Sequence, residues 1–194
     1  MAGPYPGTTR TGEAIPKIES LIDAGVREFI DLTEEDELIP YVEDARRLGA
    51  QRGIEIKHRR FPIKDVSIPD RPEQMREILD AIAAVVAAGR IPYIHCWGGV
   101  GRTGTVVGCM LVEDGCGIDE VIERIKKLRC ETERAHRPSP ETDWQREFIF
   151  GWAEQVELRS SARWPLSSTR STSSGSATAL TGPSPTRSTT SSRA

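Results

Sequence analysis

Apolar side chains recur along residues 14–158 with the two periods that are typical of amphipathic helices and of strands. Spacings of three and four residues predict six helices, several of which end at a glycine. These helices cover residues 14–25, 40–49, 71–89, 102–115, 117–130 and 139–158. The third is the clearest, because Ile78, Ile82 and Val85 repeat at helical spacing and Gly89 follows the last turn.

Three shorter runs, apolar or alternating, separate the first four helices and predict strands. They cover residues 26–33 (VREFIDLT), 54–63 (IEIKHRRFPI) and 91–96 (IPYIHC). Strands that alternate with helices, followed by helices alone, are typical of an α/β domain in which helices pack on a sheet. The pattern therefore predicts an α/β layered fold.

Composition narrows the class of protein. With 194 residues, of which 37% are apolar and 28% charged, the chain suits one globular domain with its own core. No apolar run approaches the roughly 18 residues of a membrane-spanning helix, and the N-terminal stretch lacks the pattern of a secretory signal. The four cysteines form no CxxC pair, which argues against a zinc site or a disulfide framework. We therefore expect a cytoplasmic protein that does not bind a membrane.

Charge is distributed unevenly between the body of the chain and its C-terminal segment. The whole chain carries a net charge of −3, but five arginines and no acidic residue follow position 158, so residues 1–158 carry −8. An acidic body argues against a nucleic-acid partner, because neutralisation of phosphates by cations dominates that binding. Residues 159–194 are about half Ser and Thr with few large apolar side chains, which predicts a disordered tail behind a folded domain at residues 1–158.

A Gly-rich segment, IPYIHCWGGVGRTG, stands where the third predicted strand meets the fourth predicted helix. Its GVGRTG part matches the dinucleotide pattern G-x-G-x-x-G, but helices follow it where a dinucleotide-binding unit needs another strand with an acidic residue. A Walker A loop needs Lys at the position of Arg102 and Gly at that of Cys96. Both nucleotide-binding interpretations are therefore weak.

Cys96 differs in position from the other cysteines, because it ends a strand and precedes a glycine loop and a helix. The N–H groups of such a loop and the positive end of the helix form an anion site, which also lowers the pKa of a thiol. Arg102 opens the helix, where its guanidinium can hold two oxygens of a tetrahedral anion. For Cys109, Cys116 and Cys130 we expect only a role as small core residues.

The order His-Cys-x-x-Gly-x-x-Arg-Thr-Gly at residues 95–104 resembles the signature HCxxGxxR[ST]G of the cysteine-dependent protein tyrosine phosphatases and matches every fixed position. Within that superfamily the chain is similar to the compact dual-specificity branch, including kinase-associated and small bacterial members, over roughly residues 2–157. The resemblance implies a central, mostly parallel sheet of about four or five strands flanked by helices. It also implies a phosphatase without a cofactor or a metal.

The resemblance assigns roles to individual residues. It implies that Cys96 is the nucleophile and that Arg102 holds the phosphoryl oxygens. Thr103 is implied to donate a hydrogen bond to the leaving thiolate, and His95 to orient the loop in a supporting role. The implied phosphate-binding residues are Trp97, Gly98, Gly99, Val100, Gly101 and Arg102.

The family also uses an aspartate about thirty residues before the cysteine as general acid. The stretch FPIKDVSIPD (61–70) offers Asp65 and Asp70 at about that separation. The resemblance favours Asp65 as the acid, whereas Asp70 is placed to cap the helix that follows it.

Several features depart from the family pattern or add to it. In ETDWQ, Glu141 stands where larger members have a water-positioning glutamine, and an acidic helix N-terminus explains it without a catalytic role. The opening MAGPYPG resembles only the end of the family's first strand, so we expect a shortened strand and an unpaired sheet edge. Two cationic stretches, at 57–60 and 136–140, are candidates for a second phosphate contact, although such charges are usually only solvated.

These observations predict a phosphatase that hydrolyses phosphotyrosine, and also phosphoserine or phosphothreonine, in a phosphoprotein substrate. Trp97 and Val100 occupy loop positions where inositide-directed members carry lysines, which argues against a highly charged lipid headgroup. Two alternatives stay open, namely a phosphatase of a small metabolite or inositol phosphate, and a phosphopeptide-binding module without turnover. The intact set of Cys96, Arg102 and Asp65 argues against the binding module.

Overall fold

A sheet of four parallel strands lies at the centre of the computed structural model, which describes residues 1–7 and 14–162. The strand order is β1-β4-β2-β3. The strands are β1 at Ala2–Gly3, β2 at Val26–Asp31, β3 at Lys57–Arg60 and β4 at Ile91–His95. This sheet, with helices on both sides, confirms the predicted α/β class and the mostly parallel arrangement.

Helices occupy the six stretches that the apolar spacing predicts, with shifts of a few residues at their ends. They are α1 at Ile15–Asp23, α2 at Val42–Gln51, α3 at Pro72–Ala87, α4 at Gly101–Glu113, α5 at Val121–Leu128 and α6 at Asp143–Ala162. Proline stands in the first turn of α1 and of α3, where its missing N–H costs no helical hydrogen bond. No described helix has both the length and the apolar character needed to cross a membrane.

The last helix corrects one predicted boundary. Because α6 continues to Ala162, residues 159–162 are helical, although composition assigned them to the Ser/Thr-rich tail. The rest of the predicted tail, residues 163–194, lies outside the described residues.

Helices cover both faces of the sheet, and β2 and β4 contribute side chains to both. Phe29 and Tyr93 belong to the core cluster built with α1 and α2. Ile30 and Ile94 belong to the cluster built with α3, α4, α5 and α6. Strands buried on both faces are typical of parallel sheets, which is why these strands are almost continuously apolar in sequence.

Strand β1 is only two residues long, and it pairs with β4 at Ile94 and His95. The N–H of Ile94 also donates to the carbonyl of Met1 at 3.0 Å. A two-residue first strand is therefore present, and β4 is paired at these positions rather than left as the unpaired edge that the sequence suggested.

The carboxyl ends of the parallel strands all lie at one edge of the sheet, where ligands bind in open α/β folds. The loops that begin there after β2, β3 and β4 carry Glu37, Asp65 and Cys96 respectively. This topology brings three segments that are distant in sequence to one place.

The four cysteines differ in environment. Cys96 and Cys109 are buried, Cys116 is half-buried and Cys130 is exposed, and all are free thiols. Burial raises the pKa of the Cys109 thiol well above its usual range, as expected for a core residue. The predicted core role is wrong for Cys130, because it follows the end of α5 at the surface.

Candidate active site

The loop between β4 and α4, called the phosphate loop below, is anchored to neighbouring segments through two of its backbone carbonyl groups. The Trp97 carbonyl accepts a hydrogen bond from the Tyr5 N–H at 2.9 Å, and the Val100 carbonyl accepts one from the Ser139 hydroxyl at 2.7 Å. Within the described residues, no backbone N–H of residues 97–100 donates to another protein group. The loop therefore keeps its N–H donors available for a ligand, as the predicted anion site requires.

Gly99 is required by both the backbone angle and the packing of this loop. Its φ is +67°, a conformation that side chains strongly disfavour. A Cβ atom there would lie 2.5 Å from the backbone carbon of Gly3. Any other residue at position 99 would require the N-terminal segment to move, which explains why the sequence pattern has a glycine there.

Arg102 lies in the first turn of α4, and its side chain is 1% exposed. Its Nη1 and Nη2 donate to the two carboxylate oxygens of Glu37, each at 2.7 Å, and Nη2 also lies 2.8 Å from an Asp65 oxygen. Nη1 donates in addition to the Ile63 carbonyl at 2.9 Å. The remaining donor, Nε, is buried without a partner among the described residues.

Glu37 is a functional candidate that sequence reasoning missed. It lies in the acidic stretch TEEDE (33–37), which follows β2. Because β2 pairs in parallel with β4, this stretch begins at the same edge of the sheet as the phosphate loop, and that position could have indicated a role at the site. Burial raises the pKa of the Glu37 carboxyl, but the hydrogen bonds from Arg102 outweigh burial and lower it below its usual value. The pair is therefore ionised at neutral pH.

Three acidic side chains, Glu37, Cys96 and Asp65, lie close enough to Arg102 to affect its pKa. Burial alone would lower the pKa of Arg102, but the hydrogen bonds to Glu37 and the nearby Cys96 and Asp65 outweigh burial and raise it. The structure thus brings the predicted nucleophile, phosphate-binding arginine and general acid to one site. Cys96 is itself 3% exposed, at the base of this site.

Asp65 and Asp70, the two candidates for the general acid, have different surroundings. Asp65 is half exposed and contacts Arg102, and the next residue, Val66, has a φ of +52°. Asp70 is exposed, and the cap position of α3 is Arg71, without a side-chain capping bond. The suggested capping role of Asp70 is therefore wrong, and Asp65 is the carboxylate at the arginine.

His95 ends β4 in a fully buried position beside Asp31 and Tyr41. Its Nε2 shares a hydrogen bond of 2.6 Å with the Tyr41 hydroxyl, and its Nδ1 lies 3.8 Å from Asp31. Burial lowers the pKa of His95 to about 4, although Asp31 opposes this effect. His95 is therefore neutral at pH 7, which suits a residue that orients the loop.

Thr103 is buried directly after Arg102, and its hydroxyl has no hydrogen-bond partner among the described residues. The hydrogen bond to the Cys96 sulfur that the resemblance implies is thus not formed in this structure. It stays a prediction for the thiolate state. No group of three or more His, Cys, Asp and Glu in the described part of the chain is arranged to hold a metal ion.

Gln145 is a second residue that sequence reasoning did not place at the site. It lies fully buried in the first turn of α6, where its Oε1 accepts from the N–H groups of Glu141 and Thr142 at 3.0 and 3.2 Å. Its Nε2 donates to the carbonyl of Ser67, two residues after Asp65, at 2.8 Å. Gln145 therefore joins α6 to the loop that carries the candidate acid.

Comparison with known proteins identifies the family of this chain. A family model described as Tc-R-P, polymorphic toxin system, DSP-PTPase phosphatase, matches residues 6–116, more than half of the chain. The 067L protein of Invertebrate iridescent virus 3, named as a tyrosine phosphatase, is 32% identical over 104 residues, covering 49% of this chain and 38% of the viral protein. Cyclin-dependent kinase inhibitor 3 of Rattus norvegicus is 30% identical over 114 residues, covering 57% of this chain and 52% of the rat protein.

This chain thus spans between 38% and 52% of the length of these two relatives. Among solved structures, Tk-PTP in the active form superposes with a TM-score of 0.57 at 25% identity, covering 79% of this chain and 97% of that chain. The matched residues include β2, β3 and β4, the loop that follows β3, the phosphate loop and α4, and therefore the three predicted site residues Cys96, Arg102 and Asp65. From this match, we conclude that the chain belongs to the DSP-PTPase phosphatase family of polymorphic toxin systems.

Proposed function

We propose that this protein is a metal-independent phosphatase that hydrolyses phosphotyrosine, and also phosphoserine or phosphothreonine, in protein substrates through a cysteinyl-phosphate intermediate. The observation that carries the proposal is the set of unused donors around a buried cysteine. These donors are the N–H groups of residues 97–100 and Nε of Arg102. Nε of Arg102 is buried, and a buried donor without a partner is rare in folded proteins. A phosphoryl group would supply acceptors both to it and to the loop N–H groups.

In the first step, the Cys96 thiolate attacks phosphorus and the bond from phosphorus to the substrate oxygen breaks. The loop N–H groups and Arg102 stabilise the charge on the three equatorial oxygens. Asp65, half exposed and near Arg102, gives its proton to the departing oxygen. The products of this step are the dephosphorylated substrate and the cysteinyl phosphate.

In the second step, water attacks phosphorus and Asp65 takes up the proton that water loses. The bond from sulfur to phosphorus breaks, which releases inorganic phosphate and restores the thiolate. In this proposal the Thr103 hydroxyl, which is buried and unpartnered within the described residues, donates a hydrogen bond to that thiolate. The name of the viral relative, a tyrosine phosphatase, supports phosphotyrosine as the first substrate to examine.

The proposal is tested with p-nitrophenyl phosphate in the presence of a chelator. We expect turnover by the wild type, no turnover by Cys96→Ser, and full turnover by Cys130→Ser, a matched change at an exposed cysteine. When the wild-type reaction is quenched during turnover, part of the enzyme should carry phosphate bound covalently to Cys96. A wild type that is inert, or a Cys96→Ser variant that keeps full activity, would contradict the mechanism.

The acid is tested with the pair Asp65→Asn and Asp70→Asn. We expect Asp65→Asn to lose about 100-fold in kcat with phenyl phosphate and less with p-nitrophenyl phosphate, because a good leaving group needs little protonation. Asp70→Asn should behave like the wild type with both compounds. A loss that does not depend on the leaving group would move the acid to another residue.

A further inference from the structure

We propose that Lys17 and Arg134 form an anion-binding subsite at the mouth of the active site, which takes a second phosphate group carried by the same substrate. The inference rests on the proposed phosphatase function and specifies the substrate class. Neither cation belongs to the signature at residues 95–104, and the two lie far apart in the sequence.

Arg134 lies directly against the phosphate loop. A Cβ atom built on Gly98 would be 2.6 Å from Nη1 of Arg134, so the guanidinium occupies the space that a side chain at position 98 would need. Arg134 is half-buried, and its side chain makes no ion pair or hydrogen bond with residues 1–7 or 14–162. Its donors are therefore available to a ligand next to the loop.

Lys17 approaches the same place from α1. Its Nζ donates one hydrogen bond to the carbonyl of Tyr5, which holds the ammonium group beside the N-terminal segment. Burial lowers the pKa of Lys17, with a further decrease from Arg134 and an opposing increase from Glu133. The side chains of Lys17, Glu133 and Arg134 line the same cavity.

The two cations line a cavity of about 400 Å³ whose walls also include Trp97 of the phosphate loop and Glu37, the carboxylate that binds Arg102. The exposed side chains of Trp97 and Ile39 form its apolar rim. A substrate whose phosphoryl group lies at Cys96 can therefore place its body on this rim and a second anion at the cations. Glu37 does not oppose such an anion strongly, because Arg102 already neutralises it.

The cationic stretches suggested by the sequence do not provide this contact. Arg59 pairs with the buried Glu28, and His58 and Arg60 contact the buried Asp31. Arg137 pairs with Glu141. These cations already have carboxylate partners, whereas Arg134 has none among the described residues, and only the tertiary structure distinguishes the two cases.

The experiment compares substrates that differ only in the second phosphate. One pair is a phosphotyrosine peptide and the same peptide with a second phosphorylated residue beside the tyrosine; the other is an inositol monophosphate and an inositol bisphosphate. For wild type, we expect kcat/KM to be about tenfold higher for the doubly phosphorylated member of at least one pair, since a charge-assisted bidentate contact is worth about that factor. The advantage should shrink as salt is raised, because half-exposed charges are screened.

Three substitutions test the assignment of residues. Arg134→Gln should remove most of the advantage of the second phosphate, whereas Glu133→Gln should increase it by about twofold, because it removes a competing carboxylate. Arg124→Gln, a matched change at an exposed arginine of α5, should leave the advantage unchanged. Glu133→Gln and Arg124→Gln should keep the wild-type rate with p-nitrophenyl phosphate, which has no second anion. Arg134→Gln is judged by the ratio of kcat/KM between the doubly and the singly phosphorylated member of each pair, which does not depend on its basal rate.

Failure of the subsite and failure of the proposed function give different results. Turnover of p-nitrophenyl phosphate without any advantage of a second phosphate, or an advantage that Arg134→Gln retains, overturns the subsite alone. If the wild type turns over no phosphate ester, binding of the same pairs to Cys96→Ser by calorimetry decides the subsite independently. Equal affinity for singly and doubly phosphorylated ligands in that variant would overturn it.

Discussion

At the scale of single residues, the position of Arg102 depends on Glu37. A guanidinium that is 1% exposed would be strongly unfavourable without acceptors, and Glu37 supplies two of them at 2.7 Å. This pairing uses Nη1 and Nη2 and leaves Nε without a partner among the described residues. A phosphoryl oxygen can therefore bind Nε while Glu37 still holds the other side of the guanidinium.

We predict that Glu37→Gln lowers kcat/KM for p-nitrophenyl phosphate by about tenfold, because the amide offers one acceptor where the carboxylate offers two charged ones. The measurement is steady-state kinetics, with the phosphate inhibition constant determined in parallel. Glu35→Gln, at an exposed carboxylate of the same loop, serves as control and should not change either value. Unchanged kinetics in Glu37→Gln would contradict the prediction, because they would show that the ion pair between Glu37 and Arg102 is needed neither for binding nor for turnover of the substrate.

At the scale of elements, the start of α6 and the segment before it connect two loops of the site. The Ser139 hydroxyl donates to the Val100 carbonyl of the phosphate loop. The Gln145 amide donates to the Ser67 carbonyl of the loop at residues 61–71, which carries the candidate acid Asp65 and is called the acid loop below. A Cβ atom on Gly101 would lie 3.0 Å from the Gln145 amide and 3.2 Å from the Glu141 carboxylate. The two loops are thus positioned against one common support rather than independently.

We predict that Gln145→Leu misplaces the acid loop and lowers kcat more for phenyl phosphate than for p-nitrophenyl phosphate. Gln145→Glu keeps an acceptor for the N–H groups of Glu141 and Thr142 but loses the donor to Ser67. It should therefore show the same dependence on the leaving group. Gln155→Leu, at an exposed glutamine of the same helix, is the matched control.

Two measurements on each Gln145 variant separate its effect on the acid loop from its effect on stability. Kinetics with the two esters report on the acid loop, and urea unfolding reports on stability. Loss of the buried hydrogen bonds should cost Gln145→Leu about 1–3 kcal/mol of stability. Equal losses of kcat with both esters would show that Gln145 supports the fold without positioning the acid loop.

At the scale of the whole molecule, a buried polar network lies within the sheet beneath the site. Asp31 ends β2, fully buried, and accepts hydrogen bonds from the Thr33 N–H and hydroxyl while His58 and Arg60 contact its other oxygen. Burial raises the pKa of Asp31, but the hydrogen bonds from His58 and Thr33 outweigh burial and hold it far below its usual range. Asp31 is therefore charged and His95 neutral at pH 7, which links the stability of the sheet to pH.

We predict that the free energy of unfolding decreases as pH falls from about 6.5 to about 4, because the unfolded state protonates His95 while the folded state does not. A difference of this size in pKa corresponds to about 3 kcal/mol. Asp31 extends the loss to lower pH, since its carboxylate form stabilises the fold above the unfolded pKa and that stabilisation is lost on protonation.

Urea unfolding at pH values from 4.5 to 7.5 measures this slope in the wild type, in His95→Gln and in His136→Gln, a control at an exposed histidine. The slope should persist in the control and decrease in His95→Gln. In the wild type, NMR should show the His95 ring unprotonated down to about pH 5. A His95 ring that titrates near pH 6.5 would contradict the prediction.

Local patterns predicted most of the elements because each depends on a short stretch of chain. The spacing of Ile78, Ile82 and Val85 is enough to indicate α3, and all three side chains are buried. Strand β3 was predicted too long, at 54–63 against Lys57–Arg60, because only part of an alternating run finds a partner strand at the sheet edge. The cap assigned to Asp70 was wrong because the cap position of α3 is the next residue, Arg71. The core role of Cys130 was wrong because the surroundings of a side chain in the folded protein cannot be read from its neighbours in sequence.

The sequence by itself determined the α/β class, the phosphate loop and its place between a strand and a helix. Glycines, cysteine and arginine have fixed spacing there because one short backbone turn must surround an anion. Only the tertiary structure decided that Glu37 holds Arg102, that Gln145 supports the acid loop and that Arg134 and Lys17 meet beside Gly98. These contacts join residues far apart in the chain, and packing around the parallel sheet, rather than local spacing, brings them together.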